Sequence, residues 1–201
     1  MLSIQELLIK LFMKKGWFKP WRKKSIRHTP NDHLTYNVDS RVIDFTVKIL
    51  QEYGMPPVEA EGVVYWAGTV RSGIFSVTAA FAPAVVPSRY GFMTDHHSNG
   101  QFTEFICDNE LVYIAQVHSH PGPWVDHSGI DDRETAFRSE GLLSLVVPVY
   151  ARRGMEPLRC CGVHRYHNSN FDRLSDRYIN KHFTITASTK KKIILKDARH
   201  E

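Results

Sequence analysis

The sequence has no run of about 20 apolar residues, the length a helix needs to cross a bilayer. Its most apolar stretch, the opening MLSIQELLIKLFMKK, is interrupted by Glu6 and Lys10, lacks a basic leading segment and is followed by no small-residue cleavage site. Neither a signal peptide nor a transmembrane helix is expected there. Cysteine is scarce: Cys107, Cys160 and Cys161 leave an odd thiol and no zinc-ligand spacing. That excludes a disulfide scaffold and suits a reducing, cytoplasmic setting. Internal repeats and low-complexity tracts are missing, and no nucleic-acid motif accompanies the basic residues, so nucleic-acid binding is not expected.

What is there begins with an uneven charge. Eight of the 26 Lys/Arg but only one of the 21 acids fall in the first 30 residues, so a chain of formal charge +5 carries about −2 in its remainder. Ile4, Leu7, Leu8, Leu11 and Phe12 recur at helical spacing. Residues 1–37 therefore read as a basic, amphipathic extension and linker, which either packs on the domain or a second subunit or touches a membrane surface or acidic partner. Residues 38–168 read as one domain and 169–201 as a C-terminal extension, within what a 201-residue chain can bury around one core.

Asp39 or Ser40 can cap a helix running to Tyr53, with Val42, Phe45 and Ile49 on one face and Gly54 closing it. After Pro56-Pro57, residues 61–70 and 74–81 are β-branched and aromatic runs joined by Arg71-Ser72-Gly73, which predicts a hairpin. Residues 82–110 are polar and turn-rich, and a loop is expected with a helix or short strand near 103–107. Strands are expected over 111–118, 142–150 and 160–166, and a helix over 131–138, whose leading acids suit the positive end of its dipole. This order predicts a mixed α/β (α+β) domain with a mixed or largely antiparallel sheet flanked by helices.

The chemistry concentrates in His118-Ser119-His120-Pro121 and the turn-rich residues after it. Two histidines one residue apart at a strand end project to the same side, so both imidazoles can reach one cation. The Pro/Gly-rich run can bring the chain back so that Asp131 supplies a third ligand. Three protein ligands plus water is the open pattern of catalytic zinc. Hydrolysis at such a centre also needs a carboxylate base, and Glu59 and Glu61 both lie upstream.

The segment fits H-x-H-P-x6-S-x-x-D and resembles the JAMM (MPN+) metalloprotease family. Pro57-Val58-Glu59-Ala60-Glu61-Gly62 through Gly68 resembles that family's approach to its first core strand. The resemblance spans roughly residues 38–168. It implies an MPN/JAMM-like, cytidine-deaminase-like fold, with zinc on His118, His120 and Asp131, Glu59 as general base, and Ser128 stabilising the oxyanion. Glu61, two residues on, competes with Glu59 for the base. The resemblance further implies cleavage after the C-terminal glycine of a ubiquitin-like protein, as deconjugation or precursor processing beside E1- and E2-like partners, including in anti-phage systems. Sulfur-carrier adducts or small peptides are the alternative substrates, and a non-catalytic interaction module is the alternative of another class.

The remaining candidates read more plainly. His96-His97 are expected in an exposed loop, His127 as a loop residue beside Ser128, Cys160-Cys161 in a strand, and Lys190-Lys191-Lys192 in a solvated tail. Trp124, in the ligand loop, either meets substrate or covers the metal.

Overall fold

A computed structural model describes residues 27–200, apart from 58, 89, 90, 130, 135, 136 and 188–191. The expected N-terminal helix, its surface contacts and the lysines at 190 and 191 lie outside the described residues.

The chain enters through β1 (Thr35–Asp39) and passes directly into α1 (Ser40–Tyr53). Asp39 caps α1: its carboxylate accepts from Arg41 N–H at 3.1 Å and pairs with the Arg41 guanidinium at 2.8 Å. The long hairpin follows, β2 (Val63–Arg71) and β3 (Ile74–Ala82), turning at Ser72-Gly73 where both residues have positive φ. Beyond it lie β4 (Val86–Ser88), β5 (Gly91–Met93) and α2 (His96–Asp108). Residues expected mainly as loop thus form a small hairpin and a 13-residue helix, capped by Asp95, whose side chain accepts from Ser98 N–H.

β6 (Val112–Ser119) leads into the ligand loop and a four-residue helix, α3 (Asp131–Glu134). Then come β7 (Leu143–Val147), β8 (Gly162–His167), β9 (Asn170–Arg173), α4 (Asp176–His182), β10 (Phe183–Thr186) and β11 (Ile194–Asp197). The expected strand over 142–150 ends at Val147 and yields to a 3-10 turn, Pro148–Ala151.

Nine strands form one mixed sheet, ordered β10-β1-β3-β2-β6-β7-β8-β9, with β11 also on β3. Pairs β1/β10, β1/β3, β3/β11 and β6/β7 are parallel and the others antiparallel. The boundary expected at 168 therefore falls inside the sheet: β9, β10 and β11 all come from residues assigned to an extension. β1 likewise begins before residue 38.

Period-two alternation in β2 divides the core. Val64 and Trp66 join the cluster that α1 covers with Val42, Ile49 and Leu50. Val63, Tyr65 and Ala67 face the opposite cluster, which α2 covers with Phe102 and Phe105. Trp66 is wholly buried, and its indole N–H donates to Thr46 Oγ1 of α1 at 2.8 Å, which supplies the partner a buried indole needs. On the other face, Tyr65 packs against Phe102, Tyr113 and Phe137, an aromatic floor on the sheet face that also carries His118.

Candidate metal centre

The centre is built at the C-terminal end of β6. Register pairs Val63 with His118 and Tyr65 with Gln116, so His118 stands on the α2 face of the sheet. His120, two residues on, continues that face just past the strand. Its backbone is held on both sides, N–H to Val147 O and C=O from Tyr150 N–H, each 2.9 Å. Its Nδ1–H donates to Trp124 O at 2.9 Å, which leaves Nε2 as the ligand atom. The Trp124 ring stacks on the imidazole, with centroids 5.4 Å apart and planes at 21°.

Asp131 closes the triangle. Its carboxylate oxygens lie 3.6 Å from His118 Nε2 and 3.4 Å from His120 Nε2. The three side chains are buried, and their ligand atoms all lie within 4.8 Å of one another. The S-x-x-D part of the motif has its own physical reading. Ser128 N–H donates to Asp131 Oδ2 at 2.5 Å and Asp131 N–H to Ser128 Oγ at 3.2 Å, the reciprocal arrangement of a capping box. Ser128 thereby orients the ligand.

The loop is pinned to β8 and β9. Asp126 accepts from Arg173 at 2.5 Å, and Val125 O lies so close over Gly162 that a Cβ there would come within 1.7 Å of it. Glycine is required at 162 by this contact.

Electrostatics suit a cation. Burial pushes His118 down to about 3, aided by His120 and His127 and only partly opposed by Asp131, so its ring is a neutral ligand. Burial would raise Asp131, but His118 and His120 outweigh that and hold it ionised. Burial also works against charge on His120, yet the hydrogen bond and charge of Asp131 keep its affinity for a proton above the ordinary value. A proton there occupies a place a divalent ion can take. Two imidazoles and a carboxylate fit a divalent transition metal, and zinc among them.

The structure brings Glu61, and not Glu59, to this cluster. Ser119 N–H donates to Gly62 O and Gly62 N–H to Ser119 Oγ, both at 3.1 Å, which extends the β2/β6 ladder past Val63 and sets Glu61 across from His120. Glu61 is 5% exposed. Burial pushes its carboxyl up to about 8, against the pull of His120 and with the push of Asp131. Glu59 is exposed, in a turn after Pro56-Pro57 where its φ is +40° and its N–H donates to Met55 O. That turn breaks the strand parity that would have kept residues 59 and 61 on one face.

His96 and His97 are exposed at the start of α2, as expected, though in a helix. Cys160 is exposed in a 3-10 turn and only Cys161 is buried. His127, read from sequence as a loop residue, is buried beside the cluster, its ring 5.9 Å from that of His118.

No family model matches the chain. The motif and the buried His-His-Asp cluster are JAMM/MPN-like, and the chain is similar to a curated protein described as a probable metalloprotease. That relative is "Probable metalloprotease y4jG" of Sinorhizobium fredii, 28% identical over 134 residues, which span 63% of this chain and 80% of that protein. Among solved structures, protein DSY2949 of Desulfitobacterium hafniense overlaps with a TM-score of 0.57 at 14% identity, covering 77% of this chain and 95% of that one, which shows a shared fold. A JAB1/MPN domain protein, AF2198 of Archaeoglobus fulgidus, overlaps more loosely, with a TM-score of 0.37 at 11% identity over 70% of this chain and 93% of that one.

Proposed function

We propose that the protein is a zinc-dependent peptidase or isopeptidase that hydrolyses the bond after the C-terminal glycine of a ubiquitin-like protein, with Glu61 as its general acid-base. The observation that carries the reading is the buried Glu61 carboxyl opposite His120, beside a three-ligand metal set. His118, His120 and Asp131 would hold the ion, which supplies Lewis acidity, polarising a carbonyl and lowering the pKa of a water to about 7. Glu61 takes a proton from the attacking water and passes it to the departing amine. Ser128 orients Asp131 and donates from its hydroxyl to the developing oxyanion.

The substrate class rests on the resemblance of the motif to enzymes that act on ubiquitin-like tails. A glycine-terminated tail suits extended binding, in which backbone hydrogen bonds supply affinity. Processing or deconjugation beside E1- and E2-like partners is the corresponding setting, and the free thiols of Cys107, Cys160 and Cys161 suit a reducing cytoplasm.

The test is cleavage of a ubiquitin-like protein fused through its terminal glycine to a reporter, assayed with zinc and with chelator. Wild-type protein should cleave only when zinc is loaded. Glu61→Gln should keep its zinc and lose about 10²–10⁴-fold in kcat, whereas Glu59→Gln should stay within a few-fold of wild type. Full turnover by Glu61→Gln would refute the base. Cleavage that is indifferent to chelator would refute the metal.

A further inference from the structure

His127 is the one buried histidine of the ligand loop outside the metal set, and both its ring nitrogens are engaged. Nδ1 lies 2.9 Å from Asp132 Oδ1 and Nε2 lies 2.9 Å from Ser144 Oγ on β7. A carboxylate only accepts, so Nδ1–H donates to Asp132, and Nε2 shares a hydrogen bond with the Ser144 hydroxyl. The faces of the ring are packed as well: His164 lies 4.1 Å away and Phe171 4.9 Å, centroid to centroid. Ser144 and His164 are wholly buried.

Asp132 follows the ligand Asp131 on α3, a helix of four residues. A single turn does not hold itself in water, because fixing its dihedrals costs more than its hydrogen bonds return. Something outside α3 must fix it. The Ser128 pair with Asp131 secures the turn from within the loop, and the bridge from Asp132 through His127 to Ser144 ties the turn to β7 of the central sheet. A leucine or phenylalanine would fill the same volume without taking two polar nitrogens out of water. The imidazole supplies the two-ended bridge they lack.

We propose that His127 is a positioning residue of the metal centre, fixing the helix that carries Asp131 to β7 by bridging Asp132 and Ser144. The inference rests on the metal-centre reading above. It concerns a side chain that no ligand contact requires.

Zinc affinity, measured by competition with a chromophoric chelator, tests it on wild type, His127→Leu, Asp132→Ala, Asp132→Asn and the His127→Leu/Asp132→Ala double variant. Unfolding of the metal-free proteins and the kcat and KM of the loaded ones are measured alongside. Asp132 has a half-exposed side chain, so its variants fold even where His127→Leu does not. Loss of an outer partner weakens metal binding by about 10–100-fold, and this bridge acts at one remove from the ligand. Each broken-bridge single variant should therefore lose about tenfold, and the double variant no more than either, because both break one bridge. Asp132→Asn keeps an acceptor for Nδ1–H and should recover most of the affinity. The loaded Asp132→Ala enzyme should lose kcat with KM unchanged. Wild type that takes up one zinc while Asp132→Ala binds it equally tightly overturns the role of His127 alone, as do additive losses in the double variant. Wild type that binds no zinc overturns the metal centre itself.

Discussion

Gly162 carries no side chain under a loop that spans from one set of ligands to the other. With Val125 O 1.7 Å from where a Cβ would stand, Gly162→Ala must push the loop off β8. Overpacking of this kind costs about 1–3 kcal/mol. Urea unfolding of the metal-free variant should show that loss, and because Asp126 and Asp131 ride on the same loop, its zinc affinity should fall as well. At this scale the site was largely legible in the sequence. The strand-end parity of His118 and His120 and the spacing to Asp131 need no tertiary information. Which of Glu59 and Glu61 lies at the cluster was not legible: the two share parity in any regular strand, and the turn at positive φ separates them. The burial of His127 was not legible because a histidine in a turn-rich loop carries no pattern, and its partners lie 5 and 17 residues away.

Elements with strong periodicity and clear punctuation emerged as expected: α1 between Asp39 and Gly54, and the hairpin around Ser72-Gly73. α2 did not, because it opens with His96-His97-Ser98-Asn99-Gly100, all poor helix formers, and only Ser98, Phe102 and Phe105 are buried. The closing strands were missed for another reason. β10 and β11 have four residues each and few fully buried side chains, and they form by pairing with partners about 110–150 residues earlier. Their contribution is testable. A chain ending at residue 168 loses Leu174, Tyr178 and Ile179 from the core and leaves β1 without its β10 neighbour, so it should show no cooperative unfolding transition by circular dichroism.

The residues before β1 are fastened to α4 and β8, where Asp32 accepts from Tyr178 OH at 2.6 Å and pairs with Arg165 at 2.7 Å. Burial pushes the Asp32 carboxyl up, but Tyr178 and Arg165 outweigh it and hold it below its ordinary value. A depressed carboxylate contributes stability above its unfolded value of about 3.9 and loses it as pH falls through the folded one. Asp32→Asn should therefore cost about 1 kcal/mol at neutral pH, a figure kept low because the group is partly exposed. Urea unfolding below about pH 4 should show wild type and variant converging.

For the molecule as a whole, the ligands come from the end of β6 and from its crossover to β7, and Glu61 from the approach to β2. An ion seated there joins the end of β6 to the crossover at the centre of the sheet. Zinc at about a hundredfold excess over its Kd should stabilise the fold by about 2.7 kcal/mol. A chain of this size should then lose about 5–10 °C of Tm when a chelator is added, which differential scanning calorimetry can check.

The alignment of β2 with β6 carries one more consequence. The Glu61 carboxyl looks across at His120 only in the observed strand phase. A slip of its lead-in by a single residue against β6 would point it to the sheet's far side. Such a molecule could retain its ion, its helices and nearly all of its spectrum while hydrolysing nothing. Turnover is thus a sharper gauge of correct strand phase in this protein than any bulk measure of folded content.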